Sequence, residues 1–496
     1  MIRSYDPRTG ETVGDPIPPT TAAEADAIVR AAHAAGRAWR ATPGAERPGG
    51  DGPSRARVLE AVADALDKNV EELWRVADAE TALGEVRLRG EVARAAGQFR
   101  LFAAVLRDGG HVEAVIDHAT AQPPVPDLRR MNRPLPGVVG VYAASNFPFA
   151  FSVAGGDTAS ALAAGCAVVV KGHDGHPRTS ALCAEVIRAA LPDEALLGLV
   201  WGREAGGCLV RHPDVVGVGF TGSIPGGKAI QAMIDERPDP IPFYGELGSV
   251  NPVVVLPSAR REGLAEGFAA SLTLGVGQFC TNPGLLFVPE DAGLLVSLAE
   301  AVAATTGGPM LTARMREGFL HELERLSALD RLAEGRPGEG AYAVTPQLFT
   351  IGLEAFAAAL PRVAEECFGP AGVVVTYRDP AALPAVLERL DGSLTATVHA
   401  TDPAEAEEVA EVLTRKAGRV IWNGWPTGVA VRWAMHHGGP WPSSTAPAHT
   451  SVGAAAIRRW LVPTSYQDWP AELLPPELRD DNPLGVPRRV DGTLTL

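Results

Sequence analysis

One cysteine stands among neighbours that suit chemistry: Cys280 lies in the glycine-rich run GVGQFCTNPGLLF, directly before an apolar, strand-like segment. Such a cysteine is a buried structural thiol, half of a disulfide, a metal ligand or a nucleophile. The chain has five cysteines in 496 residues, and they show neither CxxC nor Cys/His metal spacing. A disulfide framework or a metal site is therefore not expected, and a structural thiol or a nucleophile remains.

Two polar residues elsewhere in the chain would suit a cysteine nucleophile. Glu246 stands in FYGELGSVN, between small-residue turns. Most isolated glutamates are solvated, but a glutamate in a partly dry pocket has a raised pKa and serves as a general base. Asn146 lies in AASNFPFAFSVAGG, just before a Phe-Pro pair that interrupts regular structure. Its amide would either cap a helix or donate to an oxyanion.

A third group of residues suggests a site for a phosphate-bearing cofactor. Gly217, Gly219 and Gly222 fit G-x-G-x-x-G, but glycine is abundant here and a chance match explains the pattern equally well. Ser223 is a good N-cap, and the free N–H groups of the helix after it would face an anion. Lys171 ends the apolar run CAVVVK, at the strand edge where ligands usually bind. A solvated strand-end lysine is the simpler interpretation of Lys171.

Composition and charge exclude several classes of protein. The formal net charge of −15 argues against nonspecific binding to nucleic acid or anionic lipid. The chain begins with the polar MIRSYDPRTGE, and no apolar stretch approaches the ~18 residues that span a bilayer. We therefore expect a cytoplasmic protein with no nucleic-acid partner and no membrane partner.

The elements that must position these residues alternate along the chain. The first ~110 residues carry apolar positions at helical spacing. From residue 136, short β-branched runs such as GVVGVYAAS, CAVVVKG and VVGVGFTGS alternate with alanine-rich helical stretches, and a second such block begins near NPVVVLPS. This alternation predicts an α/β fold with two α/β domains around parallel-type sheets. The last ~30 residues are rich in proline and charge and predict an arm lying on another subunit or domain.

Six motifs in one order carry a resemblance to a known family: ASNFPFAFSVAGGDTASALAAG, FTGS, YGELGSVNP, GQFCTNPG, EECFGP and HHGGPWP. Together they resemble the aldehyde dehydrogenase superfamily over essentially the whole chain. The match is strongest to the branch of 2,5-dioxovalerate (α-ketoglutaric semialdehyde) dehydrogenases and NADP-dependent fatty aldehyde dehydrogenases. The resemblance implies oxidation of an aldehyde, such as the semialdehyde 2,5-dioxovalerate or a medium- or long-chain aldehyde, to its acid.

The resemblance also assigns roles to residues. Cys280 would attack the aldehyde carbon to give a thiohemiacetal and then a thioester, and Asn146 would donate to the oxyanion together with the Cys280 N–H. Glu246 would activate water to hydrolyse the thioester. The residues assigned to NAD(P) binding are Lys171, His173, Asp174, Gly222, Ser223, Glu366 and Phe368. On this assignment Gly217 and Gly219 are ordinary strand residues.

The resemblance divides the chain into three parts. Residues 1–117 and 133–246 would form the dinucleotide-binding domain, and residues 247–440 the catalytic domain with the nucleophilic cysteine. Residues 118–132 and 441–496 would form a small β oligomerisation flap and a C-terminal arm, which imply a homodimer or homotetramer.

The aldehyde pocket is expected to include Phe147, Phe149, Arg432 and Trp433. The stretch GVAVRWAMHH departs from the branch's usual GVEVCHAMVH, so that Arg432, Trp433 and His436 are unusual there. Arg432 would pair with a substrate carboxylate, since a guanidinium fork suits that geometry, or would form a surface or interdomain salt bridge. Trp433 would narrow the pocket.

The sequence gives opposing indications about the cofactor. In the superfamily, an acidic residue placed like Asp174, three positions after the lysine, often marks NAD preference. The branch leans to NADP, and a protonated His173 would help to bind a phosphate. We expect NADP slightly ahead of NAD.

Two other classes of function use the same residues differently. A thioesterase or acyl transferase would use Cys280 without redox turnover, and a binding or scaffold protein would keep only a vestigial site. The joint presence of Cys280, Glu246, Asn146 and Lys171 argues against the vestigial site.

Overall fold

The computed structural model describes residues 1–46 and 52–495. Residues 47–51 of the predicted first domain and residue 496 of the predicted arm lie outside this range. After an antiparallel pair of strands, the chain forms four long helices. The strands are Ile2–Tyr5 and Thr12–Ile17, and the helices are Ala22–Ala41, Arg55–Lys68, Val70–Thr81 and Glu85–Asp108. Thr21 begins the first helix with a capping box, because its side chain and that of Glu24 satisfy each other's free N–H groups.

A five-stranded parallel sheet forms the centre of the first domain. Its strands, in spatial order, are Phe243–Glu246, Val215–Thr221, Val138–Tyr142, Ala167–Lys171 and Leu197–Val200. The helices between and around them are Gly156–Ala164, Pro177–Arg188, Arg203–Arg211 and Ile224–Asp235. Tyr142 pairs with Lys171, and Thr221 pairs with Glu246. The carboxyl ends of the strands therefore bring Lys171, the Gly222–Ser223 helix start and Glu246 to one edge of the sheet.

A seven-stranded sheet forms the second domain, and all its strand pairs are parallel except the outermost pair at Asp330–Glu334. In spatial order the strands are Asp330–Glu334, Gln347–Gly352, Ala371–Tyr377, Leu285–Pro289, Val253–Val255, Ser393–His399 and Ala417–Trp422. The helices of this domain are Leu264–Thr273, Ala292–Ala303, Ala313–Leu326, Leu353–Ala359, Leu383–Leu387 and Pro403–Lys416. The central strand Val253–Val255 is wholly buried, as its unbroken run of valines requires.

A small separate sheet joins the middle of the chain to its end. Its strands, in spatial order, are Leu461–Gln467, Leu128–Pro134, Ala114–Asp117, Arg488–Val490 and Thr493–Thr495. In addition to the N-terminal pair, two short antiparallel pairs complete the described strands. Thr120–Ala121 pairs with Pro124–Val125, and Gly308–Pro309 pairs with Ala343–Val344. The small sheet therefore takes a strand from residues 114–117, ahead of the predicted flap boundary. The predicted domain limits stay predictions.

Each domain has its own apolar core. The first core packs the helices against the five-stranded sheet and includes Trp460 from the C-terminal part, whose indole donates to Ser160 Oγ at 2.8 Å. Two further clusters cover the two faces of the seven-stranded sheet. The predicted α/β class with parallel-type sheets is confirmed. Within residues 1–46 and 52–495, no helix is both long and apolar enough to cross a membrane.

Candidate active site

Cys280 lies in a tight loop between the helix Leu264–Thr273 and the strand Leu285–Pro289. Hydrogen bonds from two asparagines hold this loop. Asn251 Nδ2 donates to the carbonyl oxygen of Cys280 at 2.8 Å, and Asn282 Nδ2 donates to the carbonyls of Leu272 and Gly277 at 2.9 Å. Gly275 and Gly277 have positive φ values of 57° and 66°, which glycine adopts without strain. The loop therefore fixes the cysteine backbone against the rest of the site.

Glu246 and His437 meet beside the sulfur. The Glu246 carboxylate is buried, and its Oε1 lies 3.0 Å from His437 Nε2, which in turn lies 3.6 Å from Cys280 Sγ. Ser451 Oγ donates a short hydrogen bond to Glu246 Oε2. Possible ligand atoms of Glu246, Cys280 and His437 lie within 4.8 Å of one another. A carboxylate, an imidazole and a thiol are thus within proton-transfer range.

Burial and charge set the protonation states at this point. Burial, followed by the nearby Glu246 and Glu366 carboxylates, raises the pKa of Cys280 well above that of an ordinary thiol. Burial also acts to raise the pKa of Glu246, but His437 and the hydrogen bond from Ser451 outweigh it, so that this pKa is lowered overall. At neutral pH Cys280 is therefore a protonated thiol, and the nearby Glu246 is an ionised carboxylate. A base must take the thiol proton when the sulfur attacks.

Asn146 lies in the loop after the strand Val138–Tyr142, on the other side of the cysteine loop. Its side chain is buried, and Nδ2 donates to the backbone carbonyl of Gln278 at 3.0 Å. A primary amide carries two N–H donors, so this bond engages one of them. The carbonyl of Asn146 accepts from Arg87 Nη2 at 2.8 Å. The amide is thereby held against the segment that carries Cys280.

The predicted cofactor residues around Lys171 form a polar cluster at the sheet edge. Lys171 Nζ lies 2.8 Å from Asp174 Oδ1, and the Asp174 side chain remains exposed. His173 stacks on His176, with ring centroids 5.3 Å apart, and its Nδ1 accepts from the N–H of Gly175. Burial and the neighbouring His176 and Lys171 keep the pKa of His173 well below its usual range. His173 is therefore uncharged at neutral pH.

The helix Ile224–Asp235 begins as the sequence predicts. Ser223 is its N-cap, and the Ser223 Oγ accepts from the N–H of Gly226 at 3.3 Å. The N–H of Gly222 donates to the Glu246 carbonyl at 3.0 Å, which ties the helix start to the catalytic strand. An added Cβ at Gly219 would lie 2.5 Å from Asp157 Oδ2. A larger residue at Gly219 would therefore displace the Asp157 side chain.

Glu366 and Phe368 line one small cavity with Phe279 and Ser249, next to the cysteine loop. Burial raises the pKa of Glu366 to about 8. An added Cβ at Gly248 would lie 2.8 Å from Glu366 Oε2, so the glycine backbone lies directly beside this carboxylate. A carboxyl held uncharged in a dry place calls for donors from a ligand, as ribose hydroxyls would supply.

A cleft of about 900 Å³ lies between the helices Arg203–Arg211 and Ile224–Asp235. Arg203, Arg211 and Gly207 are on one wall, and Met233 is on the other. An added Cβ at Gly206 would lie 3.6 Å from Lys171 Cγ, so the lysine is next to this cleft. The cleft, the helix start and Glu366 are arranged as an extended dinucleotide requires, and these residues fit NAD(P).

Aromatic rings line the approach to the cysteine. Phe147 contacts Phe151 and Phe279 with ring centroids 5.3 and 5.1 Å apart, and the three form a small cluster of their own. Phe149 instead is completely buried in the core of the first domain. Of the two phenylalanines predicted for the pocket, the structure thus brings only Phe147 to the ring cluster.

Arg432 and Trp433 differ in environment from the rest of the site. Both side chains are exposed, and Trp433 retains 50% of its accessible surface. Within residues 1–46 and 52–495, no hydrogen bond or ion pair is recorded for the guanidinium of Arg432. A role for these two residues at the aldehyde stays a prediction.

The sequence interpretation missed the residues that surround Glu246. His437 is part of the motif HHGGPWP, but the comparison with the branch marks only its neighbour His436, which is half-buried. Ser451 belongs to no motif and reaches Glu246 from far along the chain. The sequence pattern that could have predicted a role for His437 is its position directly before two glycines in this motif.

Comparison with known proteins gives the family of this chain. A model of the aldehyde dehydrogenase family matches residues 1–461, and the chain belongs to that family. It is an aldehyde dehydrogenase: it oxidises an aldehyde to a carboxylic acid with NAD(P). The family identified from the sequence is confirmed. Members of the family act on aldehydes and are usually oligomeric.

Two similar proteins carry the same description. The chain is 45% identical to alpha-ketoglutaric semialdehyde dehydrogenase 2 of Azospirillum brasilense, over 99% of this chain and 96% of that protein. It is 39% identical to alpha-ketoglutaric semialdehyde dehydrogenase of Acinetobacter baylyi, over 89% and 87%. A solved structure of aldehyde dehydrogenase C from Pseudomonas syringae matches with a TM-score of 0.82 at 22% identity, over 95% of this chain and 93% of that chain. This last similarity supports the fold.

Proposed function

We propose that this enzyme oxidises a carboxylated semialdehyde, with 2,5-dioxovalerate (α-ketoglutaric semialdehyde) as the leading substrate. The single observation that carries the catalytic assignment is the contact of Cys280 with His437 and of His437 with Glu246, at 3.6 and 3.0 Å. The substrate assignment is supported by the 45% identity to a protein of that specificity over nearly the whole chain.

The first half of the reaction forms a carbon–sulfur bond. Cys280 Sγ attacks the aldehyde carbon, and the thiol proton moves to the Glu246–His437 pair because a raised pKa prevents ionisation beforehand. Negative charge develops on the former aldehyde oxygen. The remaining N–H of the Asn146 amide and the Cys280 backbone N–H stabilise it, a contribution typically worth ~10²–10³ in rate per donor. Lys171, Ser223 and Glu366 would hold NAD(P), which when bound would supply the acceptor for the hydride that the thiohemiacetal carbon loses on becoming a thioester.

The second half of the reaction hydrolyses the resulting thioester. A cavity of about 20 Å³ lies beside Glu246 and is lined by polar groups of His437, Ser451 and Arg459. Such a space is large enough for one water molecule. The Glu246–His437 pair first releases the thiol proton to solvent. Glu246 then takes a proton from water as the oxygen attacks the thioester carbon, and this proton passes to the departing sulfur. The carbon–sulfur bond breaks, the carboxylic acid leaves, and Cys280 returns as a thiol.

We further propose NADP as the preferred cofactor. The Asp174 carboxylate that would repel a 2′-phosphate is engaged by Lys171. Arg203 lines the cleft as a candidate phosphate partner, whereas Arg211 is paired with Glu236. His173 contributes no charge, contrary to the expectation that it would help when protonated. A comparison of kcat/KM for the two cofactors tests this preference, and a large advantage for NAD would contradict it.

A homodimer or homotetramer assembled through the small sheet is also proposed. The edge strand Leu461–Gln467 exposes Val462, and Leu494, on the strand at the opposite edge of this sheet, exposes about two thirds of its surface. Light scattering of the purified protein measures the assembly, and a monomer at micromolar concentration would contradict it. A cytoplasmic location stays a prediction.

The function is tested with a panel of aldehydes and both cofactors, followed by the absorbance of reduced nicotinamide. We expect carboxylated semialdehydes to give the highest kcat/KM and Cys280→Ala to give no turnover. Ester hydrolysis without any reduced nicotinamide would favour a thioesterase instead. A preference for uncharged long-chain aldehydes would contradict the semialdehyde assignment.

A further inference from the structure

Two arginines that no motif includes lie at the junction of the two catalytic loops. Arg87 and Arg94 are on one face of the helix Glu85–Asp108, at helical spacing. The Arg87 guanidinium lies 4.7 Å from the Phe279 ring and 4.9 Å from the Phe147 ring. Since Phe279 precedes Cys280 and Phe147 follows Asn146, the arginine face lies against both loops.

Arg94 lies deeper along the same approach. Its guanidinium lies 5.2 Å from the Phe151 ring and 5.5 Å from the Phe147 ring. The Phe151 ring is 6.1 Å from that of His437, which contacts the sulfur. Arg94 is also the cation that acts to lower the pKa of Cys280, against the larger effect of burial. The Phe151 ring therefore contacts both the Arg94 guanidinium and the His437 ring.

Neither arginine of this pair forms an ion pair with a carboxylate among the residues that the structure describes. Glu91, which lies between the two arginines on the helix, is buried, and its Oε1 accepts from the N–H groups of Phe149 and Ala150. Glu246 is engaged by His437 and Ser451. Glu91 and Glu246 act on Arg94 through their charge but form no ion pair with it, which leaves its guanidinium without a carboxylate in contact in a largely covered place. Buried charge is costly unless it is paired.

Individual nitrogens of both arginines are buried and have no hydrogen-bond partner among the residues that the structure describes. They are Nε and Nη2 of Arg94 and Nη1 of Arg87. The guanidinium of Arg87 is already engaged within the protein, because its Nη2 donates to the Asn146 carbonyl. The adjacent Nε and Nη2 of Arg94 are two donors that can form a bidentate pair of hydrogen bonds with a carboxylate.

We propose that Arg94 binds the carboxylate of the substrate, with Arg87 supplying additional positive charge and positioning the Asn146 loop. This inference rests on the proposed function, which supplies an aldehyde with a carboxylate at its other end. It assigns specificity to the helix Glu85–Asp108 and takes the carboxylate role away from the exposed Arg432. The phenylalanine rings enclose the methylene and keto carbons between the two ends.

The first test compares two aldehydes of equal chain length, one ending in a carboxylate and one uncharged. In Arg94→Met, kcat/KM for the carboxylated aldehyde should fall about 10- to 100-fold further than for the uncharged one. Arg94→Lys keeps the charge but not the planar pair of donors, so its additional loss of kcat/KM on the carboxylated aldehyde should be intermediate. Arg100→Met is the matched control, because Arg100 is exposed on the same helix and pairs with Asp64 and Asp67.

Equal losses on both aldehydes would overturn the proposal, since Arg94 would then act only on the sulfur. No loss on either would overturn it as well. If Arg94→Met does not fold, Arg94→Lys carries the same comparison, and an unchanged ratio between the two aldehydes would again overturn it. A wild-type enzyme that does not oxidise carboxylated aldehydes would contradict the proposed function.

A second test needs neither aldehyde nor cofactor. Iodoacetate and iodoacetamide alkylate the same thiol but differ in a carboxylate, and mass spectrometry of the Cys280 peptide gives both rates. Replacing Arg94 by Met should lower the iodoacetate-to-iodoacetamide rate ratio about tenfold. The same slowing of both reagents, or an unchanged ratio, would overturn the carboxylate site whatever the physiological aldehyde is.

Discussion

The Glu246 carboxylate and the His437 imidazole form a buried pair at 3.0 Å, with His437 Nε2 pointing also to the Cys280 sulfur 3.6 Å away. One strand end of the first domain and one loop of the second therefore share a single proton-handling unit. The same unit receives the thiol proton during acylation and takes a proton from water during hydrolysis. Catalysis consequently depends on how the two domains meet.

His437→Gln should lower kcat about 10- to 100-fold, because the pair loses the group that links its carboxylate to the thiol while Glu246 remains. Steady-state rates across pH measure this loss. His436→Gln is the matched control, since His436 is the half-buried neighbour. A loss of equal size in both variants would show that the segment, rather than the imidazole of His437, is responsible.

Cys280 should be alkylated by iodoacetamide at a rate that rises with pH beyond the range of an ordinary thiol, because its pKa is raised. Glu246→Gln should move this profile to lower pH, since it removes one of the negative charges that oppose the thiolate. Glu290→Gln, at an exposed pair with Arg378, should leave the profile unchanged. A profile that does not move in Glu246→Gln would contradict the electrostatic coupling.

Glu366 should make the free protein less stable as pH rises. Its pKa is about 8 in the folded protein against 4.5 in the unfolded chain. Stability is therefore full below pH 4.5 and is lost between pH 4.5 and about 8, as the unfolded chain ionises first. At pH 7, Glu366→Gln should raise the free energy of unfolding by roughly 1–3 kcal/mol, measured by chemical denaturation without cofactor.

The exposed neighbour Glu365 provides the control for that measurement, since Glu365→Gln should change the stability little at any pH. Glu366→Gln should also weaken cofactor binding, because it removes a carboxylate proposed to bind the ribose. A wild-type protein with the same stability at pH 5 and pH 8 would contradict the raised pKa of Glu366.

Much of the site could be predicted from sequence because it lies at the ends of regular elements. Lys171 ends an apolar strand and Ser223 caps a helix, so hydrophobic patterning and cap chemistry place both. Glu246, expected between small-residue turns, instead ends the strand Phe243–Glu246. Parallel pairing then brings strand ends to one edge. The same patterning gave the α/β class with its two domains.

The positions of the remaining site residues could not be predicted, because they depend on contacts between residues that are far apart in the sequence. Ser451 reaches Glu246 across the chain, and the Arg94 side chain turns toward the ring cluster from a helix whose pattern shows only an apolar face. Phe149 was expected near the aldehyde, but its backbone is bound by Glu91 and its ring points into the first core. Phe147 and Phe149 are thus close in sequence, but Phe147 belongs to the ring cluster and Phe149 to the core of the first domain.

The central claim is that Cys280 carries the acyl group and Glu246 releases it. Rapid mixing of the enzyme with NAD(P) and saturating aldehyde, followed by absorbance and by mass of the Cys280 peptide, separates the two steps. Glu246→Gln should show a burst of about one reduced nicotinamide per site, an acylated Cys280, and a steady rate about 10²- to 10⁴-fold lower. Loss of the burst with no acylated cysteine, or full turnover in this variant, would contradict the account.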